Sequence, residues 1–143
     1  MRILGIDYGD RHLGLALSDK LQLTAQPLGT YTLKARMEEN QKYFQELVVR
    51  HEVAEIVVGL PLRMNGSAGT RVQKTKEFVR WLEHTLKLPV ILWDERLSTQ
   101  QALGLIREQK VKPKNKKSIE DQISATIILL GYLESKGANA QAS

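Results

Sequence analysis

Short apolar runs alternate with amphipathic segments along this chain of 143 residues. The first two runs, 2–7 and 13–18, flank a polar turn over 9–12, a pattern typical of two strands in one hairpin. A third strand, short and rich in β-forming residues, is predicted over 27–33. Two later runs, 54–61 and 89–95, are almost continuously apolar, which indicates strands covered on both faces.

Four other segments carry apolar residues at helical spacing. They predict helices over 37–51, from about residue 70 to 86, from Ser98 onward with Gln101 as its capping-box partner, and from Ser118 to near Gly137. Residues 138–143 are predicted to be a frayed, disordered tail. No repeat or linker divides the chain, so residues 1–137 are predicted to form one domain.

The order of these elements predicts an α/β fold. Strands joined by short turns form an antiparallel meander, whereas strands joined through a helix are parallel neighbours. We therefore predict a mixed five-stranded sheet with helices on both faces. Functional sites in such sheets form at the carboxyl ends of the parallel strands, where Asp7 and the adjacent acids Asp94 and Glu95 are placed.

The composition of the chain excludes several kinds of site and partner. The chain has no cysteine, which excludes disulfides, thiolate metal sites and cysteine nucleophiles. A net charge of +5 favours a polyanionic partner. No apolar run approaches the roughly 20 residues that span a bilayer, and the start does not resemble a signal peptide. We expect a cytoplasmic protein with no membrane partner.

The candidate acids each have an alternative role. A carboxylate at the end of an apolar strand needs a cation or hydrogen bonds, so Asp7 is interpreted as a metal ligand or, alternatively, as a cap of the next turn. Asp94 and Glu95 face opposite sides of a strand, so only one of them lies beside Asp7, and Asp94 has Arg96 as an alternative partner. Asp121 has the spacing of a capping-box partner for Ser118.

The loop before the second helix is a candidate phosphate site. It combines small residues with free backbone N–H groups just before a helix start, but it lacks the Gly-Lys-Ser/Thr ending of a nucleotide-binding P-loop. The alternative is a plain turn with Thr70 as the N-cap. The predicted phosphate-contacting residues here are Arg63, Asn65, Gly66, Ser67 and Arg71.

Residues 107–117 carry six basic side chains against one acid. Such runs are often solvated surface, but beside an acidic site this one is interpreted as a phosphate-binding segment whose affinity falls with salt. His12, in the turn after Asp7, is a candidate substrate contact. The further predicted nucleic-acid contacts are Arg96, Lys110, Lys112, Lys114, Lys116 and Lys117.

Four motifs in order over nearly the whole chain resemble the YqgF family, of the RuvX type. They are LGIDYG (4–9) with LGLA (13–16), VVGLPL (57–62) with MNGS (64–67), WDERLST (93–99), and Asp121 with IIL (127–129). Members of this family are described as Holliday-junction resolvases and as nucleases that mature the 5′ end of 16S ribosomal RNA. The resemblance implies a ribonuclease-H-like fold in which Asp7, Glu95 and Asp121 are catalytic and bind divalent metal.

Phosphodiester hydrolysis suits that ligand set. It needs an activated water and positive charge on the attacking and leaving oxygens, which two Mg²⁺ or Mn²⁺ ions supply, and Mg²⁺ prefers oxygen ligands. The predicted function is therefore a metal-dependent endonuclease that processes pre-16S rRNA, a structured RNA. The first alternative is a resolvase of branched DNA, which requires a two-fold dimer, whereas the sequence leaves the oligomeric state open between monomer and weak dimer.

Two other classes of protein are alternatives to the nuclease. One is a non-catalytic RNA-binding module for ribosome assembly, against which the retained acids argue. The other is an ATPase or sugar kinase, because the Asp7-Tyr8-Gly9 turn also resembles the first phosphate motif of the actin and hexokinase superfamily. That superfamily encloses its nucleotide between two such domains, and one domain of this length does not.

Overall fold

The structure is a computed structural model that describes residues 1–61, 69–97 and 116–142, with side chains up to residue 61, over 69–97 and over 118–137. Its elements are β1 (Arg2–Tyr8), β2 (His12–Ser18), β3 (Ala25–Thr32), α1 (Met37–Arg50), β4 (Val53–Leu60), α2 (Thr70–Leu86), β5 (Val90–Asp94), a 3₁₀ turn (Glu95–Leu97) and α3 (Lys116–Ala142). The helix predicted from Ser98 onward lies outside the described residues.

The five strands form one sheet in the order β3-β2-β1-β4-β5. β1, β4 and β5 are parallel, and β2 and β3 add antiparallel partners on the other side of β1. Each parallel neighbour is reached through a helix and each antiparallel neighbour through a short turn, as the connection lengths require. The predicted mixed five-stranded sheet with helices on both faces is confirmed.

Helices α1 and α2 cover one face of the sheet. This face holds the larger core cluster, in which Leu4 and Ile6 of β1 pack with Phe44 of α1 and with Phe78 and Leu82 of α2. The spacing of these helix residues places them on one stripe, which explains why the segments form helices here despite many charged neighbours.

Helix α3 covers the opposite face. Ile3, Ala16 and Val57 of the sheet pack there with residues of the helix such as Ala125 and Leu129. Alternate residues of a strand face opposite sides, so Asp7 lies on the same face as Ile3. In the described ranges, none of the helices has an apolar stretch long enough to cross a bilayer.

Two predicted helix caps are wrong. The N-cap of α2 is Gly69 and not Thr70, which is already helical. Helix α3 begins at Lys116, so Ser118 lies inside its first turn. The Ser118 hydroxyl is engaged elsewhere, because its Oγ lies 2.9 Å from the Oγ1 of Thr30 on β3.

Helix α3 also continues past Gly137, the predicted end, as far as Ala142. Alanine, the residue with the highest helix propensity, recurs in this last stretch, which explains the extension. The division of the chain into a domain over 1–137 and a separate tail stays a prediction.

Candidate active site

The carboxyl ends of the three parallel strands meet at one edge of the sheet. Asp7 is the second-last residue of β1, Gly59 is the second-last residue of β4, and Glu95 follows β5 directly, at the start of the 3₁₀ turn. Strand direction alone therefore brings Asp7 and Glu95 to the same edge. This is the edge at which sheets of this kind form their sites.

Two glycines allow α3 and Glu95 to approach that edge. Asp7 is paired across the β1–β2 ladder with Gly14, and a Cβ atom at Gly14 would collide with the backbone carbonyl of Asp121 in α3. A Cβ atom at Gly59 would lie 2.8 Å from Oε1 of Glu95, a separation that real Cβ atoms do not show. Because Gly14 and Gly59 have no side chain, the Asp121 backbone and the Glu95 carboxylate can approach this edge of the sheet.

Glu95 and Asp7 are in direct contact. A side-chain hydrogen bond joins the two carboxyl groups. Burial raises the pKa of Glu95, although the nearby Arg71 guanidinium and the hydrogen bond with Asp7 act in the opposite direction. A cation beside the two carboxyl groups would favour their charged forms.

Asp121 shares a cleft with Asp7. Its side chain is 8% exposed, which is unusual for a carboxylate. The cleft has a volume of about 280 Å³. It is lined by Asp7, Gly9, Asp10, Arg11, His12, Arg71 and Asp121.

The start of α3 decides between the two predicted roles of Asp121. A helix cap serves the N–H groups of the first turn, and α3 begins at Lys116, more than one turn before Asp121. The capping interpretation is therefore wrong, and the position of Asp121 in the cleft is compatible with a ligand role.

The donor atoms of these three acids suit a hard divalent cation. They are carboxylate oxygens, the ligand type that Mg²⁺ and Mn²⁺ take. Burial raises the pKa of Glu95, and a cation beside it would favour its charged form. Over residues 1–61, 69–97 and 116–142, no group of three or more His, Asp or Glu side chains is close enough to hold a metal ion. The three-acid metal centre therefore stays a prediction.

Asp94 has the partner that was predicted as its alternative. Nη2 of Arg96 lies 2.8 Å from Oδ2 of Asp94, and Nε of Arg96 donates to both carboxylate oxygens at 3.1 Å. These hydrogen bonds lower the pKa of Asp94. Of the two adjacent acids, Glu95 is the one that contacts Asp7. The nucleic-acid contact predicted for Arg96 stays a prediction.

Arg71 is the predicted phosphate contact that the structure places beside the acids. It lies in the first turn of α2, lines the cleft, and Nη2 donates to the Tyr8 carbonyl at 3.4 Å. Arg63, Asn65, Gly66, Ser67, Lys110, Lys112 and Lys114 lie outside the described residues. Lys116 and Lys117 lie on α3, but their side chains are not described.

Sequence reasoning missed Arg11. This residue lines the same cleft from the turn between β1 and β2. Its signal was its place in a turn that starts just after Asp7 and therefore projects from the same edge of the sheet. The candidate His12 also lines this cleft, and its Nδ1 lies 3.1 Å from Oγ1 of Thr32.

A mixed five-stranded sheet in this order, with carboxylates at the ends of its parallel strands, has the ribonuclease-H-like fold. The chain belongs to the RuvX family, whose sequence model, described as "Holliday junction resolvase", matches residues 1–135. The predicted family is thereby confirmed.

Relatives from two bacteria are similar over nearly their full length, and both carry the name "Putative pre-16S rRNA nuclease". The protein of Halothermothrix orenii is 46% identical over 133 residues, covering 93% of this chain and 94% of its own. The protein of Acetivibrio thermocellus is 46% identical over 138 residues, covering 96% of this chain and 98% of its own.

Solved structures with the same fold include resolvases. RuvC of T. thermophilus in complex with a Holliday junction substrate has a TM-score of 0.59 at 16% identity, covering 95% of both chains. The fowlpox virus resolvase with Holliday junction DNA has a TM-score of 0.58 at 12% identity, covering 94% of this chain and 98% of its own. At these identities the similarity concerns the fold alone, and it confirms the predicted ribonuclease-H-like architecture.

Proposed function

We propose that this protein is a divalent-metal-dependent endonuclease that processes the 5′ end of pre-16S rRNA. The family assignment supports a nuclease, and the names of the two relatives support this RNA as the substrate. The observation that carries the proposal is the contact between Asp7 and Glu95 at the end of the parallel strands, with Asp121 in the same cleft.

In this proposal, Asp7, Glu95 and Asp121 hold the cation. Mg²⁺ or Mn²⁺, in one or two ions, would supply the activated water and the positive charge on the phosphate oxygens when bound there. Arg71 and Arg11, which line the same cleft, would hold the non-reacting phosphate oxygens and so orient the strand. Contacts of this kind fix position and carry little sequence information.

Asp7→Asn tests the proposal because asparagine keeps the shape of the side chain but loses the charge that a cation requires. Wild type and variant are incubated with a 5′-extended small-subunit rRNA precursor and with a four-way DNA junction, each in Mn²⁺ and in EDTA. The matched control is Glu83→Gln, which removes an exposed acid from α2 outside the cleft. We expect cleavage of the RNA by wild type and control in Mn²⁺ only, and none by Asp7→Asn.

The junction arm tests the second candidate function, which the description of the family as Holliday junction resolvases favours. A resolvase cuts two strands symmetrically and works as a two-fold dimer. Paired symmetric nicks in the junction without RNA cleavage would therefore replace the RNA-processing function. Binding of RNA without cleavage of either substrate would indicate a non-catalytic assembly module and would contradict the proposal.

A further inference from the structure

A second and larger cleft lies on the other face of the sheet, beside the same edge. Its volume is about 660 Å³, which is within the range of small-molecule sites. It lies between the segment after β3, the start of α1 and the outer side of α2. We call it the aromatic cleft. Its lining includes Tyr8, Asp10, Arg11, Lys74, Glu77 and Trp81.

A row of stacked rings forms one wall of the aromatic cleft. The ring centroids of Tyr8 and Phe78 are 4.6 Å apart with an interplanar angle of 17°, and those of Phe78 and Trp81 are 5.9 Å apart with an angle of 23°. Phe78 is buried in the middle, whereas Tyr8 and Trp81 at the two ends are half-buried. A flat aromatic ligand would extend this row at either end.

The opposite wall is held in place by Asn40. This side chain is fully buried, and its Oδ1 accepts hydrogen bonds from the Tyr31 hydroxyl at 2.7 Å and from the Lys34 backbone N–H at 2.8 Å. Its Nδ2 donates to the Lys34 carbonyl at 3.1 Å. The segment before α1 is thus tied to the core, and the cleft is formed before any ligand arrives.

The charges around the aromatic cleft have both signs. Arg11, Lys34 and Lys74 supply positive charge, and Asp10 and Glu77 supply acceptors, with Nζ of Lys74 3.7 Å from Oδ1 of Asp10. Phosphates pair with the cations, while the amino groups of bases and the hydroxyls of ribose donate to carboxylates. A nucleotide satisfies both kinds of group together with the ring wall.

The aromatic cleft adjoins the cleft of the acids. Tyr8 follows Asp7 in β1, and successive strand residues face opposite sides of the sheet. Asp7 therefore lines the cleft of the acids, and its neighbour Tyr8 lines the aromatic cleft. Asp10 and Arg11 line both clefts from the turn between β1 and β2. A strand that crosses this turn would place a phosphate at the acids and a neighbouring base at the rings.

We propose that the aromatic cleft binds one unpaired nucleobase of the substrate strand, next to the phosphate that is cut, by stacking on Trp81. The proposal rests on the proposed nuclease function and adds a requirement, that the strand is single-stranded or has a displaced base at the cut site. A base within a continuous duplex is already stacked and cannot enter such a cleft.

The two tryptophans of the chain provide the test, because Trp81 lines the aromatic cleft while Trp93 packs against Tyr132 on the α3 face. Trp93→Phe leaves Trp81 as the only tryptophan, and Trp81→Phe leaves Trp93. Both are titrated in EDTA with a fluorescein-labelled, adenine-rich single-stranded RNA, with the same RNA carrying abasic sites, and with a blunt duplex. Label anisotropy measures binding, and tryptophan emission measures stacking.

We expect the intact single strand to quench Trp81 and to leave Trp93 unchanged, and the abasic strand and the duplex to quench neither. Trp81→Leu, which removes the ring, should weaken binding of the single strand by about five- to a hundredfold relative to wild type. Trp81→Phe keeps a ring and should recover most of that loss.

Three results would overturn the proposal. Single-strand binding by anisotropy with no change in Trp81 emission would exclude the cleft and leave the nuclease proposal intact. Equal quenching of both tryptophans would indicate a change in the whole protein on RNA binding, and not stacking of a base on Trp81. No binding of any of the RNAs by the wild type would contradict both proposals together.

Discussion

The two faces of the sheet differ in the size of the side chains that pack against their helices. On the α1 and α2 face, large side chains fill the core, and Tyr31, Tyr43, Phe44, Phe78 and Trp81 form a continuous set of ring contacts. On the α3 face, glycine and alanine stand at the points of closest contact between helix and strands. The first face holds more of the buried apolar side chains, whereas the second brings the α3 backbone at Asp121 against Gly14 of β2.

The difference predicts that stability and cleavage depend on different contacts of one sheet. Burial of large apolar side chains is the main stabilising contribution in a domain of this size. A close approach over glycines contributes less burial, but it fixes carboxylates in position without flexible connections. A substitution of a fully buried side chain on the α1 and α2 face should therefore affect mainly stability, whereas one at the α3 contacts should affect both stability and activity.

The largest effect is expected for Phe44→Ala, which removes the centre of the ring contacts on the α1 and α2 face. Phe44 is fully buried, so the free energy of unfolding should fall by about 3–5 kcal/mol. Urea denaturation measures the loss. Activity per folded molecule, assayed well below the midpoint of unfolding, should remain close to that of wild type because the acids lie on the other face. A complete loss of activity in the folded variant would contradict the separation of the faces.

Gly14→Ala should have a smaller effect on stability and a larger effect on activity. The new Cβ atom would collide with the Asp121 backbone, so α3 must move away from β2, at a cost of about 1–3 kcal/mol in unfolding free energy. Metal-dependent cleavage should fall strongly, because Asp121 moves with the helix.

Gly137→Ala is the matched control for that substitution. Gly137 lies in α3, the helix that Gly14 of β2 contacts, but a Cβ atom there would meet none of the described residues within 4 Å. Alanine is the better helix former, so this variant should gain up to about 1 kcal/mol and keep its activity. If both variants behave alike, the close approach at Gly14 has no special role.

The smallest effect is expected at Asp19, after β2 and away from the acids. Its carboxylate accepts backbone hydrogen bonds from Leu21, Leu23 and Thr24, which lower its pKa, with the Thr24 bond contributing most. The folded pKa lies below the ordinary value of 3.8, so the charged form stabilises the fold above that pH and loses its contribution as the pH falls through the folded pKa.

Asp19→Ala should therefore lower Tm slightly at neutral pH, and the difference from wild type should shrink as the pH falls below 3.8. Thermal unfolding followed by circular dichroism across this range measures it. Cleavage at neutral pH should be unaffected. A Tm difference that is constant with pH would show that the carboxylate charge is not what holds the turn.

The sequence predicted the sheet well because its signals are local. Apolar runs, the short polar turn over 9–12 and the alternation of strands with helices each depend on nearby residues, and together they determine the order of pairing. The edge shared by Asp7 and Glu95 follows from strand direction, and it too was predictable.

What the sequence did not predict depends on distant contacts. The hydroxyl of Ser118 pairs with Thr30, which is distant in sequence, so a capping pattern around it was misleading. The choice between Asp94 and Glu95 rested on a resemblance until the ion pair of Asp94 with Arg96 was seen. The aromatic cleft had no sequence signal, because Tyr8 and Trp81 come together only through the packing of α2 on the sheet.

In the proposed cation site, Asp121 of α3 lies together with Asp7 and Glu95. The most direct test is calorimetric titration of the intact protein with Mn²⁺, comparing wild type, Asp121→Asn and the exposed-acid control Glu83→Gln. We expect wild type and control to bind Mn²⁺ equally and Asp121→Asn to bind at least about tenfold more weakly with an unchanged Tm. Equal Mn²⁺ affinity in all three proteins, or no binding by the wild type, would contradict the proposed cation site.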